Sequence, residues 1–244
     1  MASKKYRGKT GVYCGRERAS STGDHVVARE FCPRAARENL PKVPACVACN
    51  NAKSKLEHYV LAVLPTGSLL AGSVAAIVDQ VGPRLAKNEA LRRQLPVGQQ
   101  VRWIRTPEGY WHESITLPFD TTKLSELACY IALGLAWHHW QAQLVPNAPV
   151  RASLFSSGGL HLFEQAVASQ DSRARVAGSF GVGVFVYRGV RDRANPTTTW
   201  WQMTFFGGVE HRARQWRGQT AYSVFVATSD DPEWVAQYAE QRAN

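Results

Sequence analysis

"DHVVAREFCPRAARENLPKVPACVACNNAKSKLE" spans residues 24–57. It joins an Asp-His pair in an apolar, extended stretch to a Cys-x-x-Cys that runs straight into Asn50. Upstream, "GVYCG" (11–15) and "DHVV" (24–27) are two short apolar runs split by "RERASSTG" (16–23), the pattern of a hairpin or a β-loop-β arrangement. "FCPRAARENLPKVP" (31–44) is irregular and bounded by proline, and it reads as a loop. In "ACVACNNAKSKLEHYVLAVL" (45–64), Leu56, Val60 and Val63 or Leu64 share one face at helical spacing. Two short strands, a loop and a helix make a ββα unit over residues 1–62.

"LPTG" (64–67) marks a boundary, and residues 63–244 are expected to form a larger mixed α+β domain. The stretch 73–95 reads as a helix broken near Gly82-Pro83, because proline removes a donor and crowds the preceding turn. "QQVRWIRT" and "YWHESITL" flank Pro107-Glu108-Gly109 as a hairpin. Residues 120–144 read as a helix capped by Asp120 or Thr121, with Leu124, Leu127, Ala128, Ile131 and Leu135 in one stripe. A weaker helix covers 158–170. Three strands follow, at 174–189, 197–209 and 221–229, and residues 231–242 close as a capped helix. Strands and helices without regular βαβ alternation favour the α+β class.

The chain has 244 residues, 45% of them hydrophobic, and carries a net charge of +10. That length buries a real core. Twelve of its Lys and Arg and five of its Asp and Glu fall in residues 1–58, so the basic excess is concentrated in the first quarter of the chain. A small basic segment attached to a near-neutral one suits a polyanionic partner, although basic surfaces also serve solubility alone. No apolar run reaches the length of a membrane span. The basic N-terminus, expected to fray, lacks the apolar core of a secretory signal, and the cytoplasm is the expected compartment. Five cysteines, an odd number with two in one Cys-x-x-Cys, do not form a disulfide framework.

Cys14, Cys46 and Cys49 are candidate ligands of a structural Zn2+, which usually takes two Cys-x-x-Cys pairs. Gly11 stands where the first cysteine of such a pair belongs, so the fourth ligand is Cys32, a histidine or water, or else the thiols simply pack as small hydrophobes. Among the polar residues, Asp24 offers a carboxylate and Asn50 an amide oxygen, the donors a hard ion such as Mg2+ accepts while keeping several waters. His25, adjacent in an extended strand and so facing the other way, can take a proton from water near neutral pH. Asn39, in the intervening loop, can hold the His25 ring. Each alone has an ordinary reading: a turn for Asp-His, a helix cap for Asn50, an Asx-turn for Asn39.

Taken together in this order, "DH…NL…CxxCN" resembles the HNH endonucleases of the ββα-metal finger group over residues 11–58. The resemblance implies His25 as general base, Asp24 and Asn50 as ligands of a catalytic Mg2+ or Mn2+, and Asn39 as a supporting residue. It also implies a metal-dependent hydrolase of nucleic acid, double-stranded DNA first. Arg29, Lys53 and Lys55 are candidates for phosphate contact or simply a solvated basic face. Glu57 and His58 lie near enough along the helix to approach the site. The alternatives are a non-catalytic zinc-knuckle module that binds nucleic acid, and a nuclease directed at RNA. A role in phage defence or a mobile element is an association with the family, not a reading of residues.

Other motifs carry less. "GKT" (8–10) lacks the first glycine of a phosphate loop and a preceding strand, and "GSFGVGVF" (178–185) opens no helix. "WHHW" (137–140) ends a helix, where histidines suit the dipole. Trp200, Trp201, Phe205 and Phe206 alternate poorly and suggest a buried strand, with base stacking the alternative.

Overall fold

The computed structural model describes residues 4–67, 81, 82, 86, 89–94, 96, 97, 99–105, 109–116, 119–146, 148–154, 157–208, 223–231, 233 and 234. Strands β1 (Thr22–His25) and β2 (Lys42–Ala45) pair antiparallel, with Asp24 opposite Val43 and His25 opposite Lys42. Cys46 then caps helix α1 (Val47–Val63). The partner of β1 therefore lies inside the proline-bounded stretch read as a loop, while "GVYC" is a tight turn closed by the Gly15 amide donating to the Gly11 carbonyl at 2.8 Å. Two effects favour the short β2 despite Pro44. Val43 and Ala45 are fully buried, and the open edge of β2 is covered by the Val12 amide donating to the Pro44 carbonyl at 2.9 Å. The N-terminus is not frayed from Lys4 onward. The Tyr6 ring fills the space over Gly23, where a Cβ would meet it at 2.4 Å, and Ser20 Oγ donates to the Tyr6 carbonyl at 2.6 Å.

Helix α2 (Glu89–Gln94) and the hairpin β3 (Gln100–Arg105) and β4 (Trp111–Thr116) lie where helix and hairpin are expected. The expected break at Gly82-Pro83 falls largely outside the described residues. Helix α3 (Thr121–Trp140) starts at Asp120, whose Oδ1 accepts from the Thr122 amide at 3.0 Å, and its expected apolar stripe is buried throughout. It packs against α1 on one side and against the sheet on the other. At Gly134 it comes so close to Val26 that a Cβ would sit 2.9 Å from Val26 Cγ1.

The sheet has five antiparallel strands in the order β5 (Val150–Leu154), β9 (Val224–Thr228), β8 (Thr199–Phe205), β7 (Phe185–Arg191), β6 (Arg175–Phe180). Helix α4 (Ser157–Ser169) covers its other face through Phe163 and Ala166 against Val190 and Phe225. Two expectations change here. The stretch 174–189 is two strands, because Gly181, Val182 and Gly183 all take positive φ and turn the chain back. β5 adds a strand that its short polar-interrupted sequence does not announce. Strand β8 alternates strictly: Thr199, Trp201, Met203 and Phe205 point into the core, and Phe206 is also buried, so the aromatics serve packing. Trp200, on the opposite face, sits edge-on to Trp234 at 5.3 Å. The capped start of the closing helix is present, with Asp231 Oδ1 accepting from Glu233 and Trp234 amides, and the rest of it lies outside the described residues.

One apolar core joins Val12, Val26, Val43 and Val60 to Leu127, Ile131, Phe185 and Trp201, so the first sixty residues share their core with α3 and the sheet. Mixed helix and sheet of this kind is an α+β architecture. Among the described residues no helix is long and apolar enough to cross a membrane.

Candidate functional site

Asp24 shares the inward face of β1 with the buried Val43, and α1 covers that face. Directly against it lies the wholly buried side chain of Lys53. Its Nζ stands 3.0 Å from Asp24 Oδ2, donates to the His25 carbonyl at 2.8 Å, and pairs with Glu57 Oε1 one turn along the helix. An ammonium has three donors, and here each meets an acceptor. The Tyr13 hydroxyl adds a hydrogen bond of 2.7 Å to the same Asp24 oxygen, and its ring meets Tyr130 of α3 edge-on at 5.2 Å. Burial and the Asp24 charge hold the Tyr13 hydroxyl well above its ordinary value, so it remains a donor. Burial raises the Glu57 carboxyl to about 7, against the pull of Lys53. The cluster thus carries one excess negative charge when Glu57 is ionised and none when it is protonated.

These positions correct one expectation and extend another. Lys53 is not at the surface for a phosphate: it is the internal counter-ion of Asp24 and Glu57. Glu57 does reach the site, whereas His58 is exposed on the other side of the helix. Tyr13 was not singled out in the sequence. Its only signal there is an aromatic ring beside a ligand-type cysteine.

Asn50 precedes Lys53 by three residues and so shares its helix face, one turn nearer the N-terminus. It is half-buried and does not cap the helix: Cys46 does, its Sγ accepting from the Cys49 amide at 3.4 Å. Asp24 Oδ1 makes no hydrogen bond among the described residues, so that oxygen and the Asn50 amide are the donors left for a hard cation. His25 lies on the outer face of β1 beside the exposed Lys42. Burial first, then Lys42, Arg29 and Lys53, lower its pKa against the opposing charge of Asp24, which keeps the imidazole neutral at pH 7. Its ring has no hydrogen-bond partner among the described residues. Asn39 in particular does not hold it: Asn39 is exposed, and its φ of 60° identifies a left-handed turn residue just before the buried Leu40. Arg29 and Lys55 are exposed, as phosphate contacts require, and Lys42 joins them by its register with His25.

The sulfur atoms of Cys14, Cys46 and Cys49 lie within 4.8 Å of one another, and all three residues are half-buried. Their donor chemistry fits a thiophilic ion such as Zn2+, which three thiolates can hold at bonds of about 2.3 Å after small shifts. Without a metal the thiols differ. Burial disfavours the Cys46 thiolate, but hydrogen bonds from the Cys49 amide and its neighbours outweigh it, and the pKa falls below the ordinary value. Burial and the neighbouring Cys46 push Cys49 up to about 12. Cys32 is not the fourth ligand: it is buried against Gly181 of the β6–β7 turn, and burial raises its thiol to about 11. Among the described residues no histidine joins the group either.

The "WHHW" segment does not act through the helix dipole. Burial pushes His139 down to about 4, and its uncharged ring lies 3.0 Å from the Tyr187 hydroxyl and stacks on Trp201. No protein-family model, curated protein or solved structure matches the chain.

Proposed function

We propose that the protein is a metal-dependent endonuclease acting on double-stranded DNA, built on a ββα-metal finger formed by β1, β2 and α1. The observation that supports this reading most is the seating of α1 on β1. Lys53 bonds both Asp24 and the His25 backbone, and Asn50 lies one turn before Lys53 on the same helix. A Mg2+ or Mn2+ held by Asp24 and Asn50 would supply charge stabilisation at the scissile phosphate. The chain's own residues do the rest. Neutral His25 takes the proton from the attacking water. Arg29, Lys42 and Lys55 hold the phosphodiester backbone, and Tyr13 and Lys53 fix the Asp24 carboxylate. Residues 63–244 would bind the target or regulate the finger.

The test is cleavage of supercoiled plasmid with and without Mg2+ or Mn2+, with His25→Ala beside the wild type. Metal-dependent nicking or linearisation that the variant lacks, with DNA binding retained, is the expected result. The lowered His25 pKa places the ascending limb of the pH–rate profile below 6.5.

One observation favours a second reading. The Lys53 ammonium already pairs with Asp24, so one counter-charge is present without a hard cation. On that reading the protein binds nucleic acid, DNA or RNA, through a zinc knuckle and does not cut. DNA retention without cleavage at any metal concentration would select it.

A further inference from the structure

The cysteine cluster draws its three thiols from two elements, the turn 11–15 and the start of α1. In the turn 11–15 the Cys14 and Gly15 amides both donate to the Gly11 carbonyl, at 3.3 and 2.8 Å, and Gly15 takes a φ of 66°. That left-handed residue follows Cys14 and turns the chain away beneath residues 144–146, where a Cβ at Gly15 would lie 2.6 Å from the Pro146 nitrogen. The backbone of the turn thus presents two ligand positions, 11 and 14, to the end of α1, and only the second carries a thiol. Gly11 is buried, and a Cβ built on it would stand 3.0 Å from Cys14 Sγ and 3.9 Å from both Ala19 Cβ and the Cys46 nitrogen, so position 11 adjoins the Cys14 edge of the cluster. The group holds no fourth Cys, His, Asp or Glu among the described residues. Cys14 also lines a cleft of about 430 Å³ with Val12, Arg16, Leu133, Leu144 and Val145, so one edge of the cluster borders open space.

We propose that the half-buried Cys14, Cys46 and Cys49 bind a thiophilic divalent metal through three thiolates and leave its fourth position to an exchangeable water. A tetrahedral ion needs four donors; these thiols supply three, and a water would supply the last, as in sites that keep an open position. This centre differs from a closed four-cysteine knuckle in that small donors can exchange at the metal. It stands independently of the hydrolytic reading, since it concerns only the thiol cluster.

The test is optical titration of the reduced, metal-stripped full chain with Co2+, whose absorption reports the donor set and its geometry. The wild type should give a three-thiolate tetrahedral spectrum that shifts when imidazole is added. Gly11→Cys should give a four-thiolate spectrum that imidazole does not move, and should bind Zn2+ on the order of tenfold more tightly, since a tethered donor replaces a free one. Tyr130→Phe, which removes a phenol packed near the cluster through Tyr13, should leave the spectrum unchanged. A wild-type spectrum that imidazole leaves unmoved would overturn the proposal, because the chain would already supply the fourth donor. So would a change on Tyr130→Phe, or the absence of Co2+ binding by the wild type. The imidazole response of the wild type decides the matter even if Gly11→Cys does not fold.

Discussion

Tyr13 and Cys14 are neighbours in one turn, yet they belong to two charged clusters with opposite solutions to the same problem. The Tyr13–Asp24–Lys53–Glu57 cluster is buried and brings its own cation on α1. The Cys14–Cys46–Cys49 cluster is half-exposed, uses the start of the same helix, and has no cation from the chain. Burial makes an unpaired charge costly, so the first cluster must be internally complete in order to fold. The second can remain protonated in part until a metal arrives, so it can wait for an external ion. The lesson is that α1 couples the two. Its N-cap and first turn carry one thiol each, and its second turn carries Lys53.

The largest effect belongs to Lys53→Met. It leaves Asp24 and Glu57 buried without their cation, and stability at pH 8 should fall by about 3–5 kcal/mol, read by urea unfolding. At pH 5.5 the loss should be smaller, because Glu57 is then protonated.

The pH response of the buried cluster comes next. A carboxyl raised from 4.5 to about 7 on folding stabilises the native state fully below 4.5, and that stabilisation is lost as pH rises through 7. The loss is on the order of 3 kcal/mol. His25 and His139, both lowered, act in the opposite direction. The clean measurement is therefore the stability of wild type minus Glu57→Gln from pH 4 to 8. That difference should decline with pH, and a flat curve would mean that Glu57 titrates as an ordinary surface acid.

For the thiol cluster, free Zn2+ at a hundred times Kd should stabilise the fold by about 2.7 kcal/mol, and a chelator should remove that gain. Cys49→Ser should abolish the response while leaving the Glu57 titration in place. If both responses vanish together, the clusters are not separable.

Tyr13→Phe sharpens the boundary between them. It deletes one hydrogen bond to a charged oxygen, a loss of about 1.5 kcal/mol, and should leave metal binding unchanged. The smallest effect belongs to Asn39. Asn39→Gly should change stability by less than about 0.5 kcal/mol, because glycine accepts the same positive φ. Unchanged plasmid cleavage in that variant would show that the Asn39 amide does not position His25.

Much of this architecture is legible in linear sequence because it is periodic. The stripe Leu124, Leu127, Ala128, Ile131 and Leu135 reads as a buried helix face, and it is one. The β3–β4 hairpin follows from its turn residues, and the grouping of Cys14, Cys46 and Cys49 from their spacing. By contrast, β2 was hidden by two prolines, and its pairing with β1 depends on Val43 and Ala45 finding a core that the rest of the chain supplies. The hairpin β6–β7 was hidden because successive positive φ angles at Gly181, Val182 and Gly183 leave no mark in hydrophobic pattern.

The site divides along the same line. Residue type and spacing were enough to group the three thiols, because a thiol is recognisable from side-chain identity alone. It took the fold to reveal that Lys53 faces Asp24 and not a phosphate, that Tyr13 and Glu57 complete that cluster, and that Asn39 is an exposed left-handed turn residue. A lysine on a helix reads the same in sequence whether it is solvated or buried. The difference lies in which carboxylates the fold brings within 3.0 Å of its ammonium.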